Sequence, residues 1–354
     1  MNNIFKLDDP GKMTVFGRSA VTGEGTALFW TGSAVEFNIK ASELHIEIEC
    51  GYDERELMAD ILLDGERSQK LILENGTRKY TIFKGMDPAK TINVRVLRDT
   101  QCMPDDRQSY ILLKSIETDG SLLEPNRYDL NIEFIGDSIT SGEGCGLLKR
   151  VEWAPVVFDA VESYSYKTAD LLNARYDVVS QSGWGLYAAW DGDLTHVLPD
   201  LYEQVCGITR GEKSISLGAH DKYDFTRNEM DVVLINLGTN DSNALKTGKF
   251  DKDEFVKAFK KKGIEFLKTV RKNNGACNII WAYGMLGDEM EPYIKEIIKE
   301  YIKETGDRRI EYLKLSDCKG KDLGARSHPT PAAHSKAAES IADFIRSLQV
   351  YMLR

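Results

Sequence analysis

The hydrophobic pattern of the sequence changes its period near residue 126, and this change restricts the chain to two kinds of structure in succession. In the segment from about residue 26 to residue 116, apolar residues alternate with polar ones, for example at Val35, Phe37 and Ile39. A period of two is typical of β-strands that bury one face. After the polar stretch 117–129, short apolar runs alternate with segments of helical period, such as 252–272. We therefore expect an all-β region followed by an α/β region.

The first region is predicted to be a β-sandwich or jelly roll, because it contains many short strands and no long helical segment. Within it, Asp64-Gly65 and Asn75-Gly76 are typical of tight hairpin turns. In the second region, strand-like runs at 132–135, 176–179, 231–237, 278–282 and 310–315 alternate with helical segments at 164–174, 252–272, 289–304 and 331–353. This order predicts a three-layer α/β domain around a parallel sheet. We place the two domains at 1–126 and 127–354.

The charge of the chain excludes several classes of partner. Its 354 residues carry a formal net charge of −10. Nucleic acids and anionic membranes are bound by clustered Lys and Arg, so we expect neither as a partner. No apolar stretch approaches the roughly 20 residues that a membrane-spanning helix needs. Residues 1–10 lack the basic start and apolar core of a secretory signal, which leads us to expect a cytoplasmic location.

The sequence also lacks the spacing of a metal site. Its six cysteines are scattered without a CxxC pair, and no His, Asp or Glu cluster has the spacing of metal ligands. We predict neither a metal ion nor any other cofactor. The sequence leaves open whether the chain assembles into a homo-oligomer.

Four short polar segments follow strands or precede the last helix, where open α/β sheets place their functional residues. Ser138 lies in Gly-Asp-Ser-Ile-Thr directly after an apolar run, and Asn240 lies in Gly-Thr-Asn-Asp after a later one. The run that lies between them in sequence leads into Ser-Gln-Ser-Gly-Trp-Gly, which contains Gly183 and Gly185. The fourth segment is His328 followed by proline. We expect the first three segments to meet at one edge of the sheet.

These residue types together suit acyl transfer. That chemistry needs a hydroxyl nucleophile, a base that takes its proton, and fixed donors for the negative oxygen of the tetrahedral intermediate. Ser138 is the candidate nucleophile and His328 the candidate base. Asn240, the backbone of Ser138 and a glycine N–H of the third segment are candidate donors. His334 is a rival base.

The four segments resemble the SGNH or GDSL-like hydrolases, whose four blocks contribute Ser, Gly, Asn and His in this chain order. The resemblance implies that Ser138 is the nucleophile, that His328 is the base, and that Gly185 and Asn240 stabilise the oxyanion together with the backbone of Ser138. For the glycine, Gly183 is the competing choice. The resemblance also implies the three-layer, flavodoxin-like fold of these enzymes.

A β-rich domain before an SGNH domain is similar to family two of the carbohydrate esterases, in which a jelly roll precedes the hydrolase domain. The early Gly17-Arg18 pair and the segment that begins at Trp30 add to this similarity. It implies a serine esterase that removes acetyl groups from acetylated xylan fragments or related carbohydrates. Trp184 and Trp190, near the third segment, are candidates to stack on sugar rings, and Glu143 is a candidate to bind sugar hydroxyls.

One position departs from the family pattern. SGNH enzymes carry an Asp three residues before the catalytic His, whereas here Ala325 precedes His328 at that distance. We favour a Ser-His dyad in which a backbone carbonyl orients the imidazole, and Asp322 is the alternative third member.

Two other functions remain open at this point. The first is an esterase, lysophospholipase or thioesterase for acyl substrates other than carbohydrates. The second is a carbohydrate-binding protein with a degenerate hydrolase domain, which the missing Asp would suit.

Overall fold

The alternating segments of the first 127 residues form twelve β-strands in the computed structural model, which describes residues 3–9, 11–147 and 155–348. The strands are β1 (Asn3–Lys6), β2 (Thr14–Phe16), β3 (Ser19–Thr22), β4 (Gly25–Leu28), β5 (Ala34–Lys40), β6 (Glu43–Gly51), β7 (Met58–Leu63), β8 (Glu66–Ile72), β9 (Gly76–Lys84), β10 (Ile92–Arg98), β11 (Tyr110–Thr118) and β12 (Ser121–Leu122).

These strands form two antiparallel sheets. One has the order β3-β4-β11-β6-β9 with β1 also on β11, and the other has the order β12-β5-β10-β7-β8 with β2 also on β5. Val35, Phe37 and Ile39 of β5 pack in the same buried core as Leu44 and Ile46 of β6, which belongs to the other sheet. The period-two pattern therefore marks the inner faces of a sandwich, and the predicted all-β region is confirmed.

Of the two predicted hairpin turns, one is confirmed and one is wrong. Asp64 and Gly65, with φ values of 51° and 86°, join the paired strands β7 and β8. Asn75 and Gly76 do not join two paired strands. They connect β8, in one sheet, to β9, which pairs with β6 in the other sheet. The Asn75 side chain makes two hydrogen bonds to the backbone of Tyr52. Its Oδ1 accepts from the Tyr52 N–H at 2.8 Å, and its Nδ2 donates to the Tyr52 carbonyl at 2.9 Å. Its turn chemistry is thus used to anchor a crossing between sheets.

The second region supplies five further strands and all of the helices in the described residues. The strands are β13 (Leu130–Gly136), β14 (Ala174–Ser180), β15 (Val232–Asn236), β16 (Asn278–Tyr283) and β17 (Ile310–Lys314). The α-helices are α1 (Tyr164–Leu171), α2 (Glu212–Ser216), α3 (Thr239–Lys246), α4 (Lys252–Asn274), α5 (Glu291–Thr305) and α6 (Pro331–Ser347), and short 3₁₀ helices lie at Pro155–Val157, Leu198–Leu201, Gly320–Asp322 and Ala325–Ser327. Residues 349–353 of the predicted last helix lie outside the described residues.

The five strands form one parallel sheet in the order β14-β13-β15-β16-β17. The chain moves from β13 to β14 in one direction and from β15 to β17 in the other. Because such crossovers are right-handed, α1 lies on one face of the sheet and α4 and α5 lie on the other. Helix α6 packs on α1, and α4 packs on α5. The predicted three-layer, flavodoxin-like domain is confirmed, and its strand order reverses at β13, where such sheets bind ligands.

The long helices begin and end at residues suited to those positions. The carboxylate of Asp251 accepts hydrogen bonds from the N–H groups of Asp253 and Glu254 at the start of α4, and Gly275 ends that helix with a φ of 54°. Thr330 caps α6, whose first residue is Pro331. Within the described ranges, none of the helices combines the length and apolar character needed to cross a membrane.

Residues 203–223 belong with the sandwich strands and not with the parallel sheet. The structure divides into one unit of Met1–Arg127 with Glu203–Tyr223 and a second of Tyr128–Tyr202 with Asp224–Arg354. The indole N–H of Trp30 donates to the Val205 carbonyl at 2.6 Å, and the hydroxyl of Ser214 donates to the Gln108 carbonyl. The sequence analysis placed this segment in the second domain. A buried indole N–H needs an acceptor, and here a returning segment supplies it.

Candidate active site

Three loops meet at the carboxyl edge of the parallel sheet. In register, Gly136 at the end of β13 lies between Ser180 at the end of β14 and Asn236 at the end of β15. A Cβ atom at Gly136 would lie 1.9 Å from the hydroxyl of Thr140, so only glycine allows the tight turn that follows β13. Ser138 stands on that turn, beside the point where the strand order reverses.

Ser138 and His328 are in direct contact. The Oγ atom of Ser138 lies 2.7 Å from Nε2 of His328, although 190 residues separate them in sequence. Ser138 is buried and the His328 side chain is 17% exposed. This distance lets Nε2 accept the hydroxyl proton, which a general base for a serine nucleophile must do.

The other ring nitrogen of His328 faces a backbone carbonyl. Its Nδ1 lies 3.1 Å from the Arg326 oxygen, an acceptor that keeps the proton on Nδ1 and leaves Nε2 free. Arg326 and Ser327 have φ values of 53° and 59°, in the left-handed region that residues with a Cβ seldom adopt. This conformation turns the Arg326 carbonyl back toward the ring. The carboxylate of Asp322, the alternative third member, lies 3.3 Å from Lys336 Nζ instead.

Asn240 lies in the first turn of α3 and reaches the same place. Its Nδ2 donates to the Trp184 carbonyl at 2.8 Å and to Asp137 Oδ2 at 3.3 Å. The side chain is buried. The structure therefore brings the Asn240 amide, which follows β15, between the loops that carry Ser138 and Trp184.

The two glycines of the Ser-Gln-Ser-Gly-Trp-Gly segment are both required sterically. Gly183 has a φ of 79°, and a Cβ there would lie 2.9 Å from the Trp190 ring. A Cβ at Gly185 would lie 2.0 Å from the Ala188 carbonyl oxygen. The Trp184 carbonyl points at Asn240, and in a trans peptide the following N–H points the opposite way. The N–H of Gly185 is therefore directed away from the Asn240 amide.

The sequence analysis missed the structural importance of Asp241, which holds the loop after β14. Its carboxylate accepts hydrogen bonds from the N–H groups of Leu186, Tyr187 and Ala188 at 2.9, 2.8 and 3.0 Å. Burial raises the pKa of Asp241 to about 6 despite these donors, which act in the opposite direction. The sequence signal was the pair Asn240-Asp241, of which only the amide was selected.

Two other predicted residues have partners that differ from the expected ones. Glu143 is buried, and its two oxygens accept hydrogen bonds from Ser182 Oγ at 2.6 Å and Arg326 Nε at 2.7 Å. Its carboxylate is thus occupied within the protein and not presented to a sugar. His334, the rival base, accepts a hydrogen bond from the Tyr164 N–H at 3.0 Å, and burial lowers the pKa of His334 to about 3. It stays neutral and is part of the core.

The two tryptophans differ in exposure. Trp184 is buried, and its ring stacks on His196 with centroids 5.0 Å apart. Trp190 is 60% exposed and has its ring against Gly183, in the same loop. Trp190 therefore presents an aromatic surface beside the site, whereas the Trp184 ring is used in packing.

Comparison with known proteins gives the same picture of the chain. A family model described as GDSL-like lipase/acylhydrolase matches residues 132–341. Among solved structures, the acetyl xylan esterase Est2A from the rumen bacterium Butyrivibrio proteoclasticus is similar to this chain. The two sequences are 32% identical, and the structures superpose with a TM-score of 0.95 over 99% of both chains. The structure of a family two carbohydrate esterase from Cellvibrio japonicus, 20% identical, shares the fold with a TM-score of 0.83 over 99% of both chains.

A longer relative is the cellulase/esterase CelE of Acetivibrio thermocellus. It is 27% identical over 333 residues, which cover 91% of this chain. The chain spans only 38% of the length of CelE.

The site should make the stability of the protein fall as the pH rises toward 7. Burial, with smaller effects of the Asp241 and Glu143 charges, raises the pKa of Asp137 to about 7. The folded state therefore holds this proton more tightly than the unfolded chain, so the stabilisation is complete below the ordinary Asp pKa and is lost as the pH rises through about 7. The Asp137→Asn variant lacks this titration. Its free energy of unfolding in urea should rise relative to the parent between about pH 5 and about pH 8, by roughly 2 to 3 kcal/mol. A parent-to-variant difference that is equal at both pH values would contradict the assignment.

Proposed function

The chain belongs to the GDSL-like lipase and acylhydrolase family, and we propose that it is a serine esterase that removes acetyl groups from acetylated xylan fragments or related carbohydrates. The observation that carries this proposal is the 2.7 Å contact between Ser138 Oγ and His328 Nε2 at the carboxyl edge of the sheet. The likeness to an acetyl xylan esterase over 99% of both chains supports the choice of acyl group and substrate class.

In the first half of the reaction, Ser138 Oγ attacks the acetyl carbonyl carbon and its proton passes to Nε2 of His328. The carbonyl oxygen becomes an oxyanion, which fixed N–H donors stabilise without reorganisation. The tetrahedral intermediate then loses the sugar oxygen, which takes the proton from Nε2. The products of this half are the deacetylated sugar hydroxyl and an acetyl group on Ser138.

In the second half, His328 takes a proton from water as the water oxygen attacks the acetyl-enzyme. Collapse of the second tetrahedral intermediate returns the proton to Ser138 Oγ and releases acetate. The Arg326 carbonyl keeps the Nδ1 proton in place through both halves, so the same tautomer is ready for each transfer.

The proposed oxyanion donors are the Ser138 N–H, one glycine N–H and the Asn240 amide, which would exchange its longer bond to Asp137 Oδ2, at 3.3 Å, for one to the oxyanion. For the glycine, the direction of the peptide between Trp184 and Gly185 supports Gly183, because that peptide's N–H is turned away from Asn240. Gly185 stays a prediction from the sequence. The cytoplasmic location likewise stays a prediction.

Acetate release from acetylated xylo-oligosaccharides and from a simple acetyl ester tests the proposal. The parent should hydrolyse both substrates, and Ser138→Ala should reduce both rates to background because no other group takes over the covalent step. Cleavage of the simple ester alone would remove the carbohydrate assignment and retain the esterase. An inactive parent that still binds the oligosaccharide would instead support the carbohydrate-binding function.

Asn240→Ala should lower kcat by about 100- to 1000-fold with a small change in KM, since an oxyanion donor acts in the transition state. Asn240→Asp is the matched control: it keeps the size but replaces the amide donor with an acceptor, and it should be no more active than Asn240→Ala. Activity near that of the parent in either variant would exclude Asn240 from the oxyanion site. Circular dichroism should show that both variants are folded.

Trp190→Ala should raise KM for acetylated xylo-oligosaccharides by about tenfold and leave hydrolysis of the simple ester nearly unchanged, because only the larger substrate can stack a sugar ring on the indole. Trp190→Phe, which retains an aromatic surface, should have a KM for the oligosaccharides between those of the parent and of Trp190→Ala. Equal losses on both substrates would mean that Trp190 supports the loop and not the sugar.

A further inference from the structure

Glu143 ties together three of the loops that form the site. Its N–H donates to the Ser138 carbonyl at 3.0 Å, within the loop after β13. Its carboxylate accepts from Ser182 in the loop after β14 and from Arg326 in the loop before α6, at 2.6 and 2.7 Å. The side chain is only 3% exposed. These contacts fix a buried carboxylate in one position.

That position lies next to the outer nitrogen of the catalytic imidazole. Oε1 of Glu143 is 3.8 Å from Nδ1 of His328, which is too far for a hydrogen bond but close for two charges. The following residue, Gly144, has no room for a side chain, because a Cβ there would lie 2.6 Å from the Cβ of His328. The backbone at 143–144 therefore packs directly against His328, and the hydrogen bonds from Ser182 and Arg326 hold the carboxylate beside the ring.

The charge matters when His328 is protonated. Attack by Ser138 converts the neutral ring to an imidazolium, and a backbone carbonyl provides only a dipole to stabilise it. Arg326 partly offsets the Glu143 charge, but its side chain is 38% exposed while that of Glu143 is 3% exposed. Because solvent screens the exposed guanidinium more strongly, the buried carboxylate has the larger effect on the ring.

We propose that Glu143 is a positioning residue that supplies the negative charge for the His328 imidazolium, across 3.8 Å and without a hydrogen bond to the ring. It takes over the electrostatic part of the task of the Asp that is missing three residues before His328. The inference depends on the proposed esterase function.

Two substitutions separate charge from shape. Glu143→Gln keeps the length of the side chain and an acceptor oxygen but removes the charge. Glu143→Asp keeps the charge but is too short to reach both Ser182 and Arg326. If the charge assists the imidazolium, kcat should fall by about 10- to 100-fold in Glu143→Gln, with KM within about twofold, and Glu143→Asp should retain more activity. This loss is smaller than the roughly 10⁴-fold effect of a hydrogen-bonded triad Asp, because the carboxylate is farther away and partly neutralised.

Asp307→Asn is the matched control. Asp307 also accepts hydrogen bonds from an arginine and a hydroxyl, Arg271 Nε at 2.6 Å and Tyr301 at 2.9 Å. It lies before the amino end of β17, whereas the candidate site lies at the carboxyl ends of the strands. It should lose stability and keep the kcat of the parent.

The outcomes distinguish this inference from the proposed function. A parent without activity on any acetyl ester contradicts the function itself. With an active parent, the inference is overturned if Glu143→Gln has the parental kcat, if it is at least as active as Glu143→Asp, or if Asp307→Asn loses as much kcat as Glu143→Gln. If Glu143→Gln is at least as active as Glu143→Asp, Glu143 only holds the loops together through its hydrogen bonds.

Discussion

The hydrogen bond between Ser138 and His328 imposes the main constraint on this half of the molecule. It joins the turn after β13 to the loop before α6 at 2.7 Å, so both must be held to within a fraction of an ångström. The turn is fixed by Gly136 and by the neighbouring strands. The His328 loop has two consecutive residues with positive φ, each of which costs of order 1 to 3 kcal/mol. The bonds of Arg326 to Glu143 and of its carbonyl to His328 offset that cost.

Around this contact the protein buries three carboxylates, Asp137, Glu143 and Asp241, and each has hydrogen-bond donors. Burial of a carboxylate is unfavourable unless such donors compensate for lost solvation. Asp241 organises a backbone loop and Glu143 joins three loops, so these acids serve as scaffold while a hydroxyl and an imidazole carry the proposed chemistry.

The sequence predicted the parts of the fold and site that depend on local patterns. Ser138 and Asn240 each follow an apolar strand, and the two regions differ in hydrophobic period, so local chemistry was sufficient for both. Long-range partners were not predictable in this way. Glu143 was a candidate to bind sugar hydroxyls, with a solvated loop carboxylate as the favoured interpretation, because nothing near it in sequence indicates Arg326, which approaches from 183 residues away. Residues 203–223 carry no periodic signal for their return to the sandwich, and the choice between Gly183 and Gly185 depends on the orientation of a single peptide.

The missing Asp is compatible with this site because its two tasks are separable. An Asp hydrogen-bonded to Nδ1 both selects the tautomer and stabilises the imidazolium. A carbonyl can perform the first task alone, since it accepts a hydrogen bond from the Nδ1–H group and cannot donate one. It performs the second only weakly, which leaves the transition state dependent on charges farther from the ring and on the oxyanion donors. In the proposed esterase, the Arg326 carbonyl orients the imidazole, and the charge that we infer stabilises the imidazolium belongs to a different loop.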